Sequence, residues 1–360
     1  MFISPGSYFW LSVLLSLSLI DNWNQGVVGE GADAEVNSTL LSSKWAPINC
    51  ESGFYNDYIA KDVEDDPNQG EMFARWTTTN PPFFISVHNF YYDRLRKVVY
   101  ETGKYYEDDI ISIFIEILRD APPNHRVVDV GGNIGWFSLL SASLGFHVDV
   151  MEPNVANVLR LCESKRLNNW TTIELETDIV QRTTKQSSIH IRQYGVGPNS
   201  SSSILYLGKN PGKATLLRKM LPTKKRNNIQ IRERVITIIA LDDMATDLGW
   251  FDLNASIALL KVDVEGYEPS VFQGATRLLN SGLVENVVME ITSQHDNSEN
   301  KKMLDLLAQA GYYPYCIRKE RFTDRAAAIL SAEKANFSSD FLAQYAYRPS
   351  SQVNVWWKRK

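Results

Sequence analysis

Residues 127–140 read VVDVGGNIGWFSLL. An apolar run carrying Asp129 gives way to glycines at 131, 132 and 135, then to a second apolar run. That order predicts a buried strand, a tight turn and a helix, an arrangement that turns backbone N–H groups toward a ligand. The flanking sequence keeps the rhythm. Strands are expected at 126–130, 147–151, 172–175, 257–264, 287–291 and 312–317, with 353–357 as an edge, and helices at 134–144, 155–167, 269–279 and 302–310. Continuous apolar strands alternating with helices predict an α/β fold whose mostly parallel sheet is covered on both faces.

The turn selects among nucleotide-like ligands. A phosphate-binding P-loop needs GxxxxGK[ST], and no Lys-Ser or Lys-Thr follows. A dinucleotide fingerprint needs GxGxxG. Counting from Gly131, Asn133 and Trp136 occupy the second and third glycine positions. What remains is DxGxNxG, made of Asp129, Gly131, Asn133 and Gly135. Glycines let the backbone approach closely, and an acid suits a cationic, phosphate-free ligand such as S-adenosylmethionine. In FHVDVMEPN, Glu152 ends the next strand about 20 residues beyond the loop, where a carboxylate takes ribose hydroxyls.

A second stretch, ALLKVDVEGYEPSVFQGATRLL at 258–279, sets Lys261, Asp263 and Glu265 at period two on an otherwise apolar strand. Charges there are costly unless paired or functional, and ligand sites in parallel sheets lie beyond the carboxyl ends of strands. Lys261 as a plain structural counter-ion is the competing reading.

With VVDVGGNIGWFS, VMEPN, ITIIALDDM and LLKVDVEGYE followed by VFQGA, the chain resembles FkbM-type S-adenosylmethionine-dependent methyltransferases over roughly 99–315. The resemblance implies a class I methyltransferase (Rossmann-like) fold with seven strands, the last antiparallel, and usually O-methylation. It implies cofactor binding by Asp129, Gly131, Gly135 and Glu152, with Gly132 and Asn133 between them, and by Asp178 at the adenine amine. Asp263 and Glu265 are expected as base or acceptor-orienting groups, joined by Glu290 and His295 after the next strand. The acids Asp242, Asp243, Asp263, Glu265 and Glu290 offer an alternative cluster for a divalent cation, ranked below metal-free chemistry. Two rival functions share the architecture. One is a nicotinamide oxidoreductase, which fails at the glycine fingerprint; the other is a non-catalytic binding protein on the same scaffold.

The ends and the insertion bear on location and acceptor. Residues 9–20, FWLSVLLSLSLI, suit the apolar region of a signal peptide or short signal anchor, with leader and linker at 1–34. This predicts a secretory-pathway or extracellular protein, including a membrane-anchored Golgi form. Asn37, Asn169, Asn199, Asn254 and Asn336 head N-x-S/T triplets, Asn254 at the mouth of a buried strand where a glycan is not expected to fit. The three cysteines, Cys50, Cys162 and Cys316, allow one bridge and one free thiol. Residues 45–125 read as an aromatic-rich lead-in and 126–358 as the methyltransferase domain. A basic insertion at about 181–234 carries Lys219, Lys224, Lys225 and Arg226, a solvated excursion or an attractor of acidic groups. A net charge of -5 gives no argument for nucleic acid. The expected partner is a small-molecule or glycan acceptor with a hydroxyl, with a membrane tether through the apolar segment.

Overall fold

The computed structural model describes residues 45–50, 73–88, 94–170, 187–208, 211–218, 231–292, 298–317, 333–334 and 352–360. The leader, the strand expected at 172–175, Asp178, Lys219, Lys224, Lys225, Arg226 and His295 lie outside them.

A hairpin of β1 (Phe73–Trp76) and β2 (Phe84–Val87) precedes α1 (Arg94–Thr102) and α2 (Asp108–Asp120). The alternating part then begins: β3 (Arg126–Val130), α3 (Trp136–Ser143), β4 (His147–Met151), α4 (Val155–Leu167) and β5 (Ser188–Arg192). Three further strands follow, β6 (Gly195–Val196), β7 (Ser201–Leu207) and β8 (Arg232–Ile239). The chain continues through α5 (Leu241–Asp247), β9 (Ile257–Val262), α6 (Glu268–Gln273), α7 (Thr276–Ser281) and β10 (Asn286–Thr292). It ends with α8 (Ser298–Gln309), β11 (Tyr312–Ile317), β12 (Glu333–Lys334) and β13 (Gln352–Arg359).

The main sheet runs β12-β11-β13-β10-β9-β3-β4-β5. Strands β5, β4, β3, β9 and β10 are parallel neighbours, and β13 is antiparallel to both strands it separates. Seven strands with a reversed terminal one match the expected fold, with the two-residue β12 added at the edge. Alternate residues serve opposite faces, as the period of a strand requires. Val128, Val130, Leu260 and Val262 pack with α5 to α8, whereas Val127, Val148, Val150 and Leu259 pack with α2 and α3.

Three expectations need correction. The strand at 353–357 is interior, because β13 pairs with β10 and β11 and buries Val355 and Trp357 completely. The helix expected at 269–279 is two helices. Asp242 explains the break: its N–H donates to the Gly274 carbonyl, and its carboxylate accepts the N–H groups of Arg277 and Leu278, both at 2.8 Å. That makes it a helix cap supplied from a distant element. The insertion begins too early at 181, since β5 lies within it yet pairs with β4 through buried Ile189 and Ile191. The described residues after it form a separate sheet, β6-β8-β7, around Leu205, Leu207, Ile236 and Ile238.

The lead-in is tied to the sheet from two sides. Ser86 N–H donates to Ser164 Oγ, and Asn168 exchanges hydrogen bonds with the Phe84 backbone, fixing β2 on α4. Cys50 is disulfide-bonded to Cys162 of α4, and Ile48 N–H donates to the Ile191 carbonyl of β5 at 2.7 Å.

Candidate functional site

A cleft opens at the carboxyl ends of β3, β4 and β9, and β6 and β7 with residues 212–216 form its opposite wall. Gly131, Asn133, Glu152, Asn157, Tyr194, Asp263 and Glu265 line it. Loop and strand sequences meet there because of backbone constraints. Gly131 sits at φ 81°, and a Cβ on it would fall 1.9 Å from the Asp263 carbonyl oxygen. No other residue lets the 129–135 turn pass so close to the end of β9. At Gly135, which starts α3 with φ 92°, a Cβ would strike Leu161 of α4. That glycine serves helix packing rather than the cleft wall. Gly132 is likewise crowded by Val150 of β4.

Glu152 is held for hydrogen bonding to a ligand. Its Oε2 accepts the Asn133 N–H at 2.8 Å; its Oε1 accepts the Asn154 N–H at 2.8 Å and Asn157 Nδ2 at 3.2 Å. Burial raises its pKa above the ordinary carboxylate value, opposed by those donors. Asn157 is itself bonded to His88 Nε2 at 2.9 Å, so β2 buttresses the cleft through two buried side chains. His88 shows no motif spacing in sequence. Only the packing of β2 on α4 reveals its place.

Asp129 sits differently from its expected role toward a ligand ammonium. It is 1% exposed and accepts a hydrogen bond from Ser138 Oγ at 2.6 Å. Lys261 Nζ lies 3.4 Å from Asp129 Oδ1 and 3.5 Å from Asp263 Oδ2. Lys261 thus bridges the glycine loop to the second motif. Burial works against its ammonium, yet the Asp129 and Asp263 carboxylates hold its pKa above the ordinary value.

The second motif ends in a strained turn. Glu265 adopts φ 53°, rare for a non-glycine residue, and the loop is held from below by Glu268. Glu268 is 1% exposed, and its Oε1 accepts the N–H groups of Val264 and Gly266, both at 3.1 Å. Its burial and these two bonds make Glu268, the first residue of α6, the clamp of the 263–266 turn. From the other wall, Thr215 Oγ1 donates to the Glu265 carbonyl at 3.1 Å.

Carboxylates crowd this side of the cleft. The Glu265 pKa is pushed up to about 7, by burial first and the Asp263 carboxylate second, with Lys213 and Lys261 opposing. Glu290 is pushed up to about 9, by burial first, then by Asp263, Glu265, Glu268 and Glu107. The structure therefore brings Asp263, Glu265 and Glu290 into one electrostatic field and adds Glu107, the residue immediately before α2. Asp242 is absorbed in its cap, and Asp243 accepts a hydrogen bond from Ser200. Among the described residues, no three His, Cys, Asp or Glu side chains are grouped to hold a metal ion.

Trp136, too bulky for a dinucleotide turn, is buried in the aromatic core beside α2 and β2 rather than lining the cleft. It is 2% exposed, with Tyr105 stacked 4.9 Å from it and Phe83 edge-on at 5.4 Å.

Solved structures similar to the chain include the SAM-dependent methyltransferase from Agrobacterium tumefaciens, at 9% identity and TM-score 0.37, covering 82% of this chain and 73% of that one. Another is the TehB-like SAM-dependent methyltransferase from Corynebacterium glutamicum, at 8% identity and TM-score 0.32, covering 75% and 96% respectively. No curated protein matches it in sequence. The methyltransferase FkbM domain matches residues 129–314, which take in both motifs and more than half of the 360 residues. The chain belongs to the FkbM methyltransferase family and is an S-adenosylmethionine-dependent methyltransferase.

Proposed function

We propose that the chain methylates a hydroxyl oxygen of a glycan or a small polyhydroxylated metabolite. The observation that carries this reading is Glu265, a cleft-lining carboxylate with a pKa raised to about 7, beside the loop that would seat the cofactor. A base poised near neutrality suits removal of a hydroxyl proton, a contribution of roughly 10²–10⁴-fold.

The cleft fits S-adenosylmethionine. Gly131 lets the loop close against the end of β9 and so shapes the cleft wall, and Glu152 presents a carboxylate at the end of β4 for two ribose hydroxyls. Bound there, the cofactor supplies a methyl group on a positively charged sulfur. Asn133 and Gly132 shape the loop, and Asp129 holds it through Lys261 and Ser138. The family resemblance extends this set to Asp178. Glu265 accepts the acceptor's proton, and Asp263 orients the hydroxyl. Glu290 stays protonated at neutral pH, which makes it a hydrogen-bond donor and limits charge repulsion around the base. Holding acceptor and methyl carbon in line is the larger task, worth up to about 7–11 kcal/mol when attack geometry is met.

The same reading places the chain in the secretory pathway or outside the cell, with residues 9–20 as leader or tether. Among the described residues no helix is long and apolar enough to cross a membrane. The Cys50–Cys162 disulfide supports the placement, since disulfides persist in oxidising compartments.

A methyl-transfer assay over a panel of sugars, glycans and hydroxylated metabolites, read by mass spectrometry, tests the acceptor class. Transfer to amines alone would refute O-methylation. Calorimetric titration of S-adenosylhomocysteine tests the cleft. Glu152→Ala is expected to weaken binding at least tenfold; undiminished affinity would remove Glu152 from the cofactor set.

A further inference from the structure

We propose that Asn254 and Asn199 carry N-linked glycans, an inference that rests on the secretory placement above. Both head complete N-x-S triplets, Asn254-Ala255-Ser256 and Asn199-Ser200-Ser201, and both asparagines are exposed. The sequence suggested that a glycan would not fit at Asn254, because a buried strand starts nearby. The structure reverses that expectation. Asn254 lies three residues before the start of β9 and sits in the turn after α5 in left-handed conformation, φ 48°, with exposed Asp252 and Leu253 before it. Burial sets in only at Ile257.

Attachment occurs before the chain is fully folded, so the native fold must supply an outlet for the sugar rather than the reactive geometry. Asn254 has one. Ile257 pairs with Arg126, the first residue of β3, which puts the Asn254 turn at the amino edge of the parallel sheet. The cleft lies at the carboxyl edge, at Asp263, and six residues of strand at about 3.3 Å each separate the two by roughly 20 Å. A glycan at Asn254 leaves the cleft open.

Asn199 lies in the turn between β6 and β7, with Ser200 and Ser201 exposed beside it. Ser200 Oγ donates to Asp243 Oδ2 at 2.9 Å, which anchors the turn to α5. Asn199 is also exposed, as is Asn169, but the hydroxyl residue of the Asn169 triplet lies outside the described residues, and the proposal leaves that site aside. The Cys50–Cys162 bridge is an independent sign of the compartment in which such transfer happens.

The reaction needs a polyprenyl-diphosphate-linked oligosaccharide as donor. The bond between asparagine Nδ2 and the sugar C1 forms, the C1–oxygen bond to the diphosphate breaks, the diphosphate leaves on the lipid, and one amide proton is released.

The test is translation of the full chain with microsomes, read by protease protection and gel mobility, with a second version carrying a strong cleavable leader. Protection of the native chain, with a mobility step lost in N254Q and another in N199Q, is expected. Because Asn254 is left-handed and Gln is strained there, S256A supplies a second variant that keeps Asn254 and must lose the same step. A native chain that stays protease-sensitive overturns the secretory placement and the proposal with it. A protected chain whose step count is unchanged in N254Q and S256A, or in N199Q, overturns the proposal at that site and leaves the placement standing.

Discussion

Two buried charged clusters in this molecule obey opposite rules. At the β4–β5 side of the sheet, Asp149 is fully buried between two guanidinium groups, Arg126 with Nη1 at 2.8 Å and Arg192 in direct contact, and His190 Nδ1 lies 3.3 Å away. Burial would raise its pKa, yet Arg192 and Arg126, with His190, hold the carboxyl well below the usual range. Arg192 is secured further by donating to the Trp45 carbonyl at 2.9 Å. At the cleft the ratio is inverted. Asp129, Asp263, Glu265 and Glu107 share the buried Lys261, with Lys213 acting on Glu265, and both Glu265 and the neighbouring Glu290 are pushed up. Cation excess fixes one charge permanently. Carboxylate excess leaves protons that can move. Both clusters mark buried polar groups in sequence, but only the second has the electrostatics of a reactive site.

The sharpest way to break the comparison is Asp149→Asn. It leaves Arg126 and Arg192 buried against a neutral amide, a change that costs about 3–5 kcal/mol. Chemical denaturation is expected to show a loss of that size or a chain that fails to fold, with no rescue by S-adenosylhomocysteine beyond simple mass action. A loss below about 1 kcal/mol would mean that water reaches the cluster. At the cleft, Glu265→Gln is isosteric and removes a base from a site already short of cations. Methyl transfer to the acceptor found by the panel is expected to fall about 100-fold or more in kcat, equivalent to roughly 2.7 kcal/mol, while folding is retained. Affinity for S-adenosylhomocysteine should change less than about tenfold, and unchanged kcat would move the base to another residue.

The contrast also explains what the sequence made legible. The strand–loop–helix at 127–140 and the strand at 257–262 announce themselves because apolar runs and glycines are local signals. β13 announced a strand but not its neighbours, since pairing on both sides depends on β10 and β11 rather than on its own residues. Asp263 and Glu265 stood out because charges on a buried strand violate patterning. Glu107 and Glu268 did not, because acids at helix starts are ordinary, and only the electrostatic field around Glu290 and the bonds to the 263–266 turn give them a second role. Asp129 was read as facing a ligand, since sequence shows a carboxylate's position but not that a lysine 132 residues later occupies it. Asp149, His190 and Arg126 carried no spacing at all. Strand register assembles them.

The smallest expected effect is the most diagnostic of carboxylate excess. A carboxyl whose pKa is higher folded than unfolded binds more protons in the native state, so stability falls as pH rises between the two values. For Glu265 that window runs from the ordinary carboxylate value of 4.5 to about 7, and for Glu290 it extends to about 9. Folding stability should therefore decline across pH 5–9, apart from any contribution of other groups. Glu290→Gln removes one ionising group from the cluster and keeps its shape. Its stability should match the parent near pH 5 and exceed it by about 1–2 kcal/mol near pH 9, after allowing for relaxation and water entry. The Asp149 cluster predicts the reverse dependence, because a carboxyl held low stabilises the fold above its unfolded pKa and withdraws that support only as pH falls well below 4. Denaturation midpoints of parent and Glu290→Gln measured at pH 5, 7 and 9 separate the two. Parallel curves would show that Glu290 is ionised in the folded protein, with its charge compensated by a cation, and would remove the cleft's claim to carboxylate excess.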